Sequence, residues 1–110
     1  MSEGGKRLIR IEIQPRAQMD ITATLAFTEE RWGRRQRAAY RALINGALKD
    51  LRRFPDMGKP RDEIFDGCRT LVVGSHLILY HVPDQRVVVV RVLHTSQDPK
   101  ELIALRHSFA

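Results

Sequence analysis

The chain has 110 residues, of which 43% are hydrophobic and 29% are charged. This length and composition predict one globular domain over residues 1–110 and argue against a disordered tail. The longest apolar run, Val87 to Val90, is far shorter than the roughly 20 residues that span a bilayer, so we expect no membrane segment. Fifteen arginines and four lysines against thirteen acidic residues give a net charge of +6. Such a surplus favours an anionic partner: nucleic acid, an acidic protein or a membrane surface.

The few cysteine and histidine residues predict neither a disulfide nor a metal site. Cys68 is the single cysteine of the chain, which excludes an internal disulfide and fits a reducing compartment. Residues 1–10 contain no apolar stretch of the kind that a signal peptide needs, so a cytoplasmic protein is expected. His76 and His81 point to opposite faces of one predicted strand and cannot share a metal ion. No cofactor-binding motif is present, and we expect no cofactor.

The first half of the chain predicts one strand followed by two helices, after a frayed segment over residues 1–6. Alternating isoleucines predict a strand over residues 7–13, which Pro15 ends. Steps of three and four between apolar residues then predict a helix over residues 16–32 and, after Gly33, a second helix over residues 34–54. Because so few residues separate the two helices, we expect them to form an antiparallel hairpin.

The second half predicts a β-meander. Two prolines and a glycine within residues 55–60 end the second helix, and residues 61–66 are polar and read as a loop. Three extended runs over residues 69–73, 76–82 and 86–94 are joined by short turns and should pair antiparallel. Residues 99–110 are expected to form a tail or a short helix. The order β-α-α-β-β-β-(α) predicts an α+β fold, in which an antiparallel sheet packs against an N-terminal helical hairpin.

This element order and several short stretches resemble the RelE/ParE toxin superfamily, and within it the ParE branch. The matching stretches are Arg31–Gly33, Phe54–Gly58, Gly67–Arg69, Gly74–Tyr80 and Arg91–His94, followed by Gln97 and Asp98. The resemblance implies a toxin that is encoded beside an acidic ParD-like antitoxin, forms a hetero-oligomer with it, and poisons DNA gyrase and so replication. It implies contact with operator DNA only indirectly, through the antitoxin.

The RelE-like branch of the superfamily instead cuts mRNA on the ribosome, and two positions argue against that activity. The position that matches the branch's strand arginine holds Leu77, and no tyrosine follows Tyr80. We therefore predict no catalytic residues and a non-enzymatic toxin. An mRNA endonuclease stays open as the alternative, because Arg69, Arg91, His94, Arg106 and His107 could supply cations and an acid or base. A degenerate toxin that only binds its antitoxin and represses its own operon is a further alternative.

Two candidate surfaces follow from aromatic and basic residues. The predicted antitoxin-binding surface surrounds the turn between the helices, since aromatic and arginine side chains dominate interface hot spots. It comprises Trp32, Arg34, Arg35, Arg37, Tyr40 and Arg41. The predicted target-contact residues are Arg91, His94, Arg106 and His107. The competing interpretation places both aromatic side chains in the core and the arginines of the helix turn in solvent.

Arg91 and His94 each carry an explicit structural expectation. Arg91 interrupts an apolar central strand, and an unpaired buried charge would be costly. We therefore expect it to lie on the sheet face away from the helices or to pair with a carboxylate such as Asp98. For His94, the choice is between an acid or base near neutral pH and a ring that packs at the strand end and bonds to the following loop.

Overall fold

Within residues 8–101, which the computed structural model describes, two helices and five strands follow the predicted order. They are β1 (Arg10–Ile13), α1 (Pro15–Trp32), α2 (Arg34–Arg53), β2 (Lys59–Pro60), β3 (Arg69–Val73), β4 (His76–His81) and β5 (Arg86–His94). The α+β fold class is confirmed. β2 is an addition to the prediction, since a two-residue strand has no periodicity to detect. Residues 99–101 are helical, and the rest of the predicted terminal helix or tail lies outside the described residues, as does the N-terminal segment 1–6.

The strands form one sheet in the order β1-β5-β4-β3-β2. The predicted antiparallel arrangement is confirmed for β2 to β5. β1 departs from it, because it runs parallel to β5 with Ile11 opposite Val87. Two helices and three strands separate β1 from β5 in the chain, and connections of that length allow parallel pairing where a hairpin turn would not.

The main core lies between the helical hairpin and one face of the sheet. Its buried members are Ala17, Ile21 and Leu25 of α1, Ile44, Leu48 and Leu51 of α2, and Val73, Ile78, Tyr80, Val87, Val89 and Val92 of the strands. These helical residues lie on the predicted apolar stripes. The buried part of each stripe ends before the last predicted residue of its helix, which is Trp32 in the first helix and Phe54 in the second. Trp32, the last residue of α1, is 63% exposed, and Phe54, which follows α2, is 43% exposed.

A second apolar cluster covers the opposite face of the sheet. It consists of Ile64, Cys68, Leu79 and Leu93, with Phe65 and Leu77 packed against them. Residues 61–66 form a loop, as the sequence predicts, but one member of it, Ile64, is buried and only 7% exposed. β4 is therefore covered by apolar residues on both faces of the sheet. Burial in the second cluster raises the pKa of the Cys68 thiol to about 11. At neutral pH this thiol is protonated and unreactive.

Tyr80 anchors the segment that follows α2. Its hydroxyl donates to the carbonyl of Pro55 at 2.7 Å and accepts from the N–H of Gly58 at 2.8 Å. A Cβ at Gly58 would lie 2.5 Å from that hydroxyl and 2.9 Å from the carbonyl oxygen of Thr70. The glycine therefore permits a close approach between this segment and the sheet, which explains the stretch Phe54–Gly58 in physical terms. Among the described residues, no helix is long and apolar enough to cross a membrane.

Candidate functional site

An open cleft of about 740 Å³ lies between the two helices and the adjoining ends of β4 and β5. We call it the aromatic cleft. α1 contributes Thr24, Phe27, Thr28 and Trp32, α2 contributes Gln36 and Tyr40, and the strands and their turn contribute Ser75, His76 and His94. Phe27 is 59% exposed and Trp32 is 63% exposed. Large aromatic side chains left this accessible in a concave surface are characteristic of a binding site for another protein.

Tyr40 fixes the base of the aromatic cleft. Its hydroxyl donates to the carbonyl of Val73 at 3.2 Å and accepts from the N–H of Ser75 at 3.0 Å. The same oxygen lies 2.6 Å from Nδ1 of His76. α2 is thereby tied to the turn between β3 and β4, and Tyr40 packs partly into the core while its hydroxyl faces the cleft.

Two histidines lie side by side on the strand side of the aromatic cleft. The rings of His76 and His94 meet edge to face with centroids 5.4 Å apart. Nε2 of His76 lies 3.4 Å from the hydroxyl of Thr24. Burial, and secondly the neighbouring His94, lower the pKa of His76 below its ordinary 6.5. His76 is therefore neutral at pH 7, and the cleft carries little charge there.

His94 packs at the end of β5, as the structural interpretation of this residue expects. Its Nδ1 accepts from the N–H of Ser96 at 3.1 Å and lies 2.8 Å from the Ser96 hydroxyl. Because Nδ1 acts as an acceptor, the neutral ring carries its proton on Nε2. His94 is exposed, so this second nitrogen can reach a bound partner.

The predicted antitoxin-binding residues do not form one surface. Trp32 and Tyr40 meet in the aromatic cleft, whereas Arg37 and Arg41 line a separate depression of about 180 Å³ between the helices. Arg37 is also ion-paired with Glu29 at 2.6 Å. Arg34 and Arg35 are exposed at the start of α2, as the solvated interpretation expects.

Arg91 is buried and paired with a carboxylate, which is one of the two arrangements expected for it. It is 8% exposed, and its guanidinium donates to Asp20 of α1 through Nε at 2.7 Å and Nη2 at 3.1 Å. The partner is Asp20 and not Asp98, and the alternative position on the sheet face away from the helices is wrong, because the side chain reaches α1. Asp20 also accepts the N–H of Val92 at 2.9 Å. This part of β5 lies beyond Val89, the last residue of β5 that pairs with β1.

Arg91 therefore offers no free charge to a target. The other predicted target-contact residues, Arg106 and His107, lie outside the described residues. Among the described residues, no group of three His, Cys, Asp or Glu side chains could hold a metal ion.

Sequence reasoning missed Phe27, Gln36, Ser75 and His76 as members of this site. For Phe27 a signal did exist: it falls off the apolar stripe of its helix, and an apolar residue off the core-facing stripe must be exposed. The histidine and serine could not be found in this way, because they lie in the cleft only through the packing of α2 against the β3–β4 turn.

Comparison with known proteins gives the family of this chain. The family model described as ParE toxin of type II toxin-antitoxin system, parDE, matches residues 11–99. The chain belongs to the ParE toxin family. Toxin ParE1 of Caulobacter vibrioides is 33% identical over 85 residues, which are 77% of this chain and 88% of that protein. Toxin ParE1 of Mycobacterium tuberculosis is 34% identical over 90 residues, 81% of this chain and 92% of that protein.

Solved structures agree with the ParE fold. A chain of the chromosomal ParDE TA system from P. aeruginosa superposes with a TM-score of 0.69 at 17% identity, covering 79% of this chain and 96% of that chain. A chain of the toxin-antitoxin complex RelBE2 from Mycobacterium tuberculosis gives a TM-score of 0.57 at 25% identity, covering 80% and 99%. At these identities the superpositions describe the fold, and they leave the activity of this ParE-family chain to its own side chains.

In this ParE-family chain, three of the positions considered for RNA cleavage serve the fold: Leu77, Arg69 and Arg91. Leu77 packs into the apolar cluster on the outer face of the sheet. Arg69 donates to the carbonyls of Asp56 at 3.0 Å and Gly58 at 2.7 Å. Together with the paired Arg91, these side chains hold loops and strands together, and their charges are already neutralised or hydrogen-bonded.

Proposed function

We propose that this chain is the toxin of a type II toxin-antitoxin pair, that an acidic ParD-like antitoxin neutralises it by binding the aromatic cleft, and that the free toxin inhibits DNA gyrase without being an enzyme. The single observation that carries the antitoxin part is the exposure of Phe27 and Trp32 within one concave surface. Exposing large aromatic side chains to water is unfavourable. A bound apolar segment of the antitoxin would bury Phe27 and Trp32 and so stabilise the complex.

Charge supports an acidic partner. The chain carries a net charge of +6, and Arg34 and Arg35 are exposed at the start of α2, close in sequence to Trp32. Positive charge at the amino end of a helix opposes the helix dipole, so an acidic segment near these arginines would relieve it. The two structural neighbours come from a ParDE system and from a toxin-antitoxin complex, which supports the same kind of partner here.

Family membership and the way the arginines are used both support the proposal of gyrase inhibition over RNA cleavage. Phosphodiester cleavage needs cations that are free to stabilise the developing charge and a positioned acid or base. Arg69 and Arg91 are occupied by backbone carbonyls and by Asp20, and Leu77 is apolar. Within residues 8–101 the side chains considered for RNA cleavage therefore do not supply such a cation cluster.

Induced expression in a bacterial host tests the function as a whole. We expect growth arrest with DNA-damage signalling, and rescue when the protein encoded by the adjacent reading frame is expressed with it. Primer extension on a translated message should show no new ends. Discrete cuts inside codons within minutes of induction would instead establish the endonuclease, and viable cells without any arrest would point to the degenerate toxin.

The location of the antitoxin is tested by a matched pair of variants. Trp32→Ala should weaken antitoxin affinity by about 30-fold or more, the size of an aromatic hot spot of about 2 kcal/mol. Val72→Ala is the control, because Val72 is 64% exposed, like Trp32, but lies on β3 away from the cleft. Equal affinities of the two variants in calorimetric titration would place the antitoxin elsewhere.

A further inference from the structure

Among the described residues that line the aromatic cleft, two carry an imidazole and none carries a carboxylate. α1 contributes apolar side chains and threonine hydroxyls, α2 contributes Gln36 and Tyr40, and the strands contribute His76 and His94. The group that acts electrostatically on His76 is His94, which is itself a base. A positive charge on either ring would therefore meet no balancing carboxylate among the described residues of the cleft.

The hydrogen bonds leave this pair open toward the cleft. Nδ1 of His76 is engaged by Tyr40 at 2.6 Å, while its Nε2 has only the longer 3.4 Å contact with Thr24. His94 uses Nδ1 for Ser96, and its exposed ring lines the cleft. Each ring thus keeps its Nε2 for a partner. A bound carboxylate would form a stronger hydrogen bond with a protonated ring than the 3.4 Å contact that Thr24 now makes with His76.

We infer that His76 and His94 form a recognition site for a carboxylate side chain of the antitoxin, and that binding of the antitoxin is coupled to the uptake of a proton by this pair. The inference rests on the proposed function, since it names the chemistry that the aromatic cleft recognises. A carboxylate brought against the pair supplies the missing negative charge in a partly desolvated site, so the imidazolium becomes the favoured form.

The direction of the effect follows from the free state. Burial and His94 hold the pKa of His76 below 6.5, so this ring enters the complex as a neutral imidazole at pH 7. The bound carboxylate raises that pKa, and a proton is taken from solvent on association. Affinity should then decrease as pH rises, by up to about tenfold per pH unit for each proton taken up.

Isothermal titration calorimetry with the protein encoded by the adjacent reading frame measures this coupling. Titrations between pH 6 and pH 8, in buffers of different ionisation enthalpy, count the protons exchanged. Fluorescence of Trp32, the single tryptophan of the chain, reports occupancy of the cleft independently. We expect a net proton uptake with the native chain and a clear reduction of it in His76→Gln and in His94→Gln.

His81→Gln is the matched control. His81 lies on the same strand and burial also lowers its pKa, but it packs against Phe65 with ring centroids 5.7 Å apart, outside the cleft. Its replacement should leave the proton uptake unchanged. Because His76→Gln removes a partner of Tyr40, the exposed His94→Gln provides the variant least able to disturb the fold, and thermal unfolding verifies both.

The possible outcomes distinguish a failure of the carboxylate site from a failure of the proposed antitoxin binding. Tight binding that changes Trp32 fluorescence without proton uptake overturns the carboxylate site and leaves the antitoxin function standing. Uptake that persists undiminished in both cleft variants also overturns it. Failure of the antitoxin to bind at any pH overturns the proposed function itself.

Discussion

Asp20 and Arg91 form a buried ion pair between α1 and β5. The two side chains are 15% and 9% exposed, and the carboxylate also accepts the N–H of Val92. Removing one partner of a buried pair leaves the other charge uncompensated, which is far more damaging than the loss of an exposed pair. The pair is therefore a structural element, and its geometry removes Arg91 from the surface.

We predict that Asp20→Asn lowers the free energy of unfolding by about 3 kcal/mol or more. Glu29→Gln is the control, because the Glu29–Arg37 pair is 38% and 37% exposed, and its loss should cost less than about 1 kcal/mol. Urea denaturation of both variants checks the difference. Equal midpoints for the two variants would show that the Arg91 pair does not stabilise the fold.

His76 and His81 predict the pH dependence of stability. Burial lowers the pKa of both below 6.5 in the folded chain. As pH falls below about 6.5, the unfolded chain takes up protons before the folded chain does, so the contribution of these two histidines to the free energy of unfolding is constant above that pH and falls below it until their folded pKa is passed. The double variant His76→Gln/His81→Gln should show a smaller fall in thermal midpoint between pH 7 and pH 5. Identical slopes would contradict the assignment.

At the residue scale, the sequence predicts what kind of environment a side chain needs better than it predicts which residue will contact that side chain. The need of Arg91 for a carboxylate follows from its place in an apolar strand. The identity of Asp20 could not be predicted, because the two residues are 71 positions apart and meet only after α1 has packed beside β5. The same holds for Tyr40 and His76, which are 36 positions apart.

At the element scale, Gly33 determines how α1 turns into α2. It adopts φ 92° and ψ 174°, a region that is essentially closed to residues with a side chain. Gly46 lies in the interior of α2, and a Cβ at either glycine would meet nothing within 4 Å. The two positions therefore differ in backbone conformation and not in available space.

Alanine should therefore change the free energy of unfolding in opposite directions at Gly33 and at Gly46. Gly33→Ala should destabilise the protein by about 1–3 kcal/mol, the cost of the strained backbone. Gly46→Ala should stabilise it by about 0.5–1 kcal/mol, because alanine favours the helix. Differential scanning calorimetry of the two variants measures both. A destabilised Gly46→Ala or a neutral Gly33→Ala would refute the explanation.

The elements themselves were largely predictable, since periods of two and of three to four residues are local properties of the sequence. The departures have physical causes. β1 begins at Arg10 and not at residue 7, because Ile9 donates its N–H to the carbonyl of Arg52 and not to a strand. Ile64 is buried because its loop folds over the outer face of the sheet, which the polar composition of that loop concealed.

At the scale of the whole molecule, the aromatic cleft joins both helices to two strands, and no single stretch of sequence encodes it. Trp32 and Tyr40 were predictable as members from their residue types. The four arginines grouped with them are divided between two places: Arg34 and Arg35 are exposed at the start of α2, whereas Arg37 and Arg41 line the depression between the helices. The outline of such a surface depends on how the elements pack, which is not a local property of the sequence.

A supercoiling assay with purified components tests the proposed inhibition of gyrase by this toxin. Gyrase, relaxed plasmid and ATP are incubated with increasing amounts of the chain, with and without the protein from the adjacent reading frame. We predict a dose-dependent loss of supercoiling that the second protein reverses. Full supercoiling at a large excess of a preparation that arrests growth in cells would contradict it.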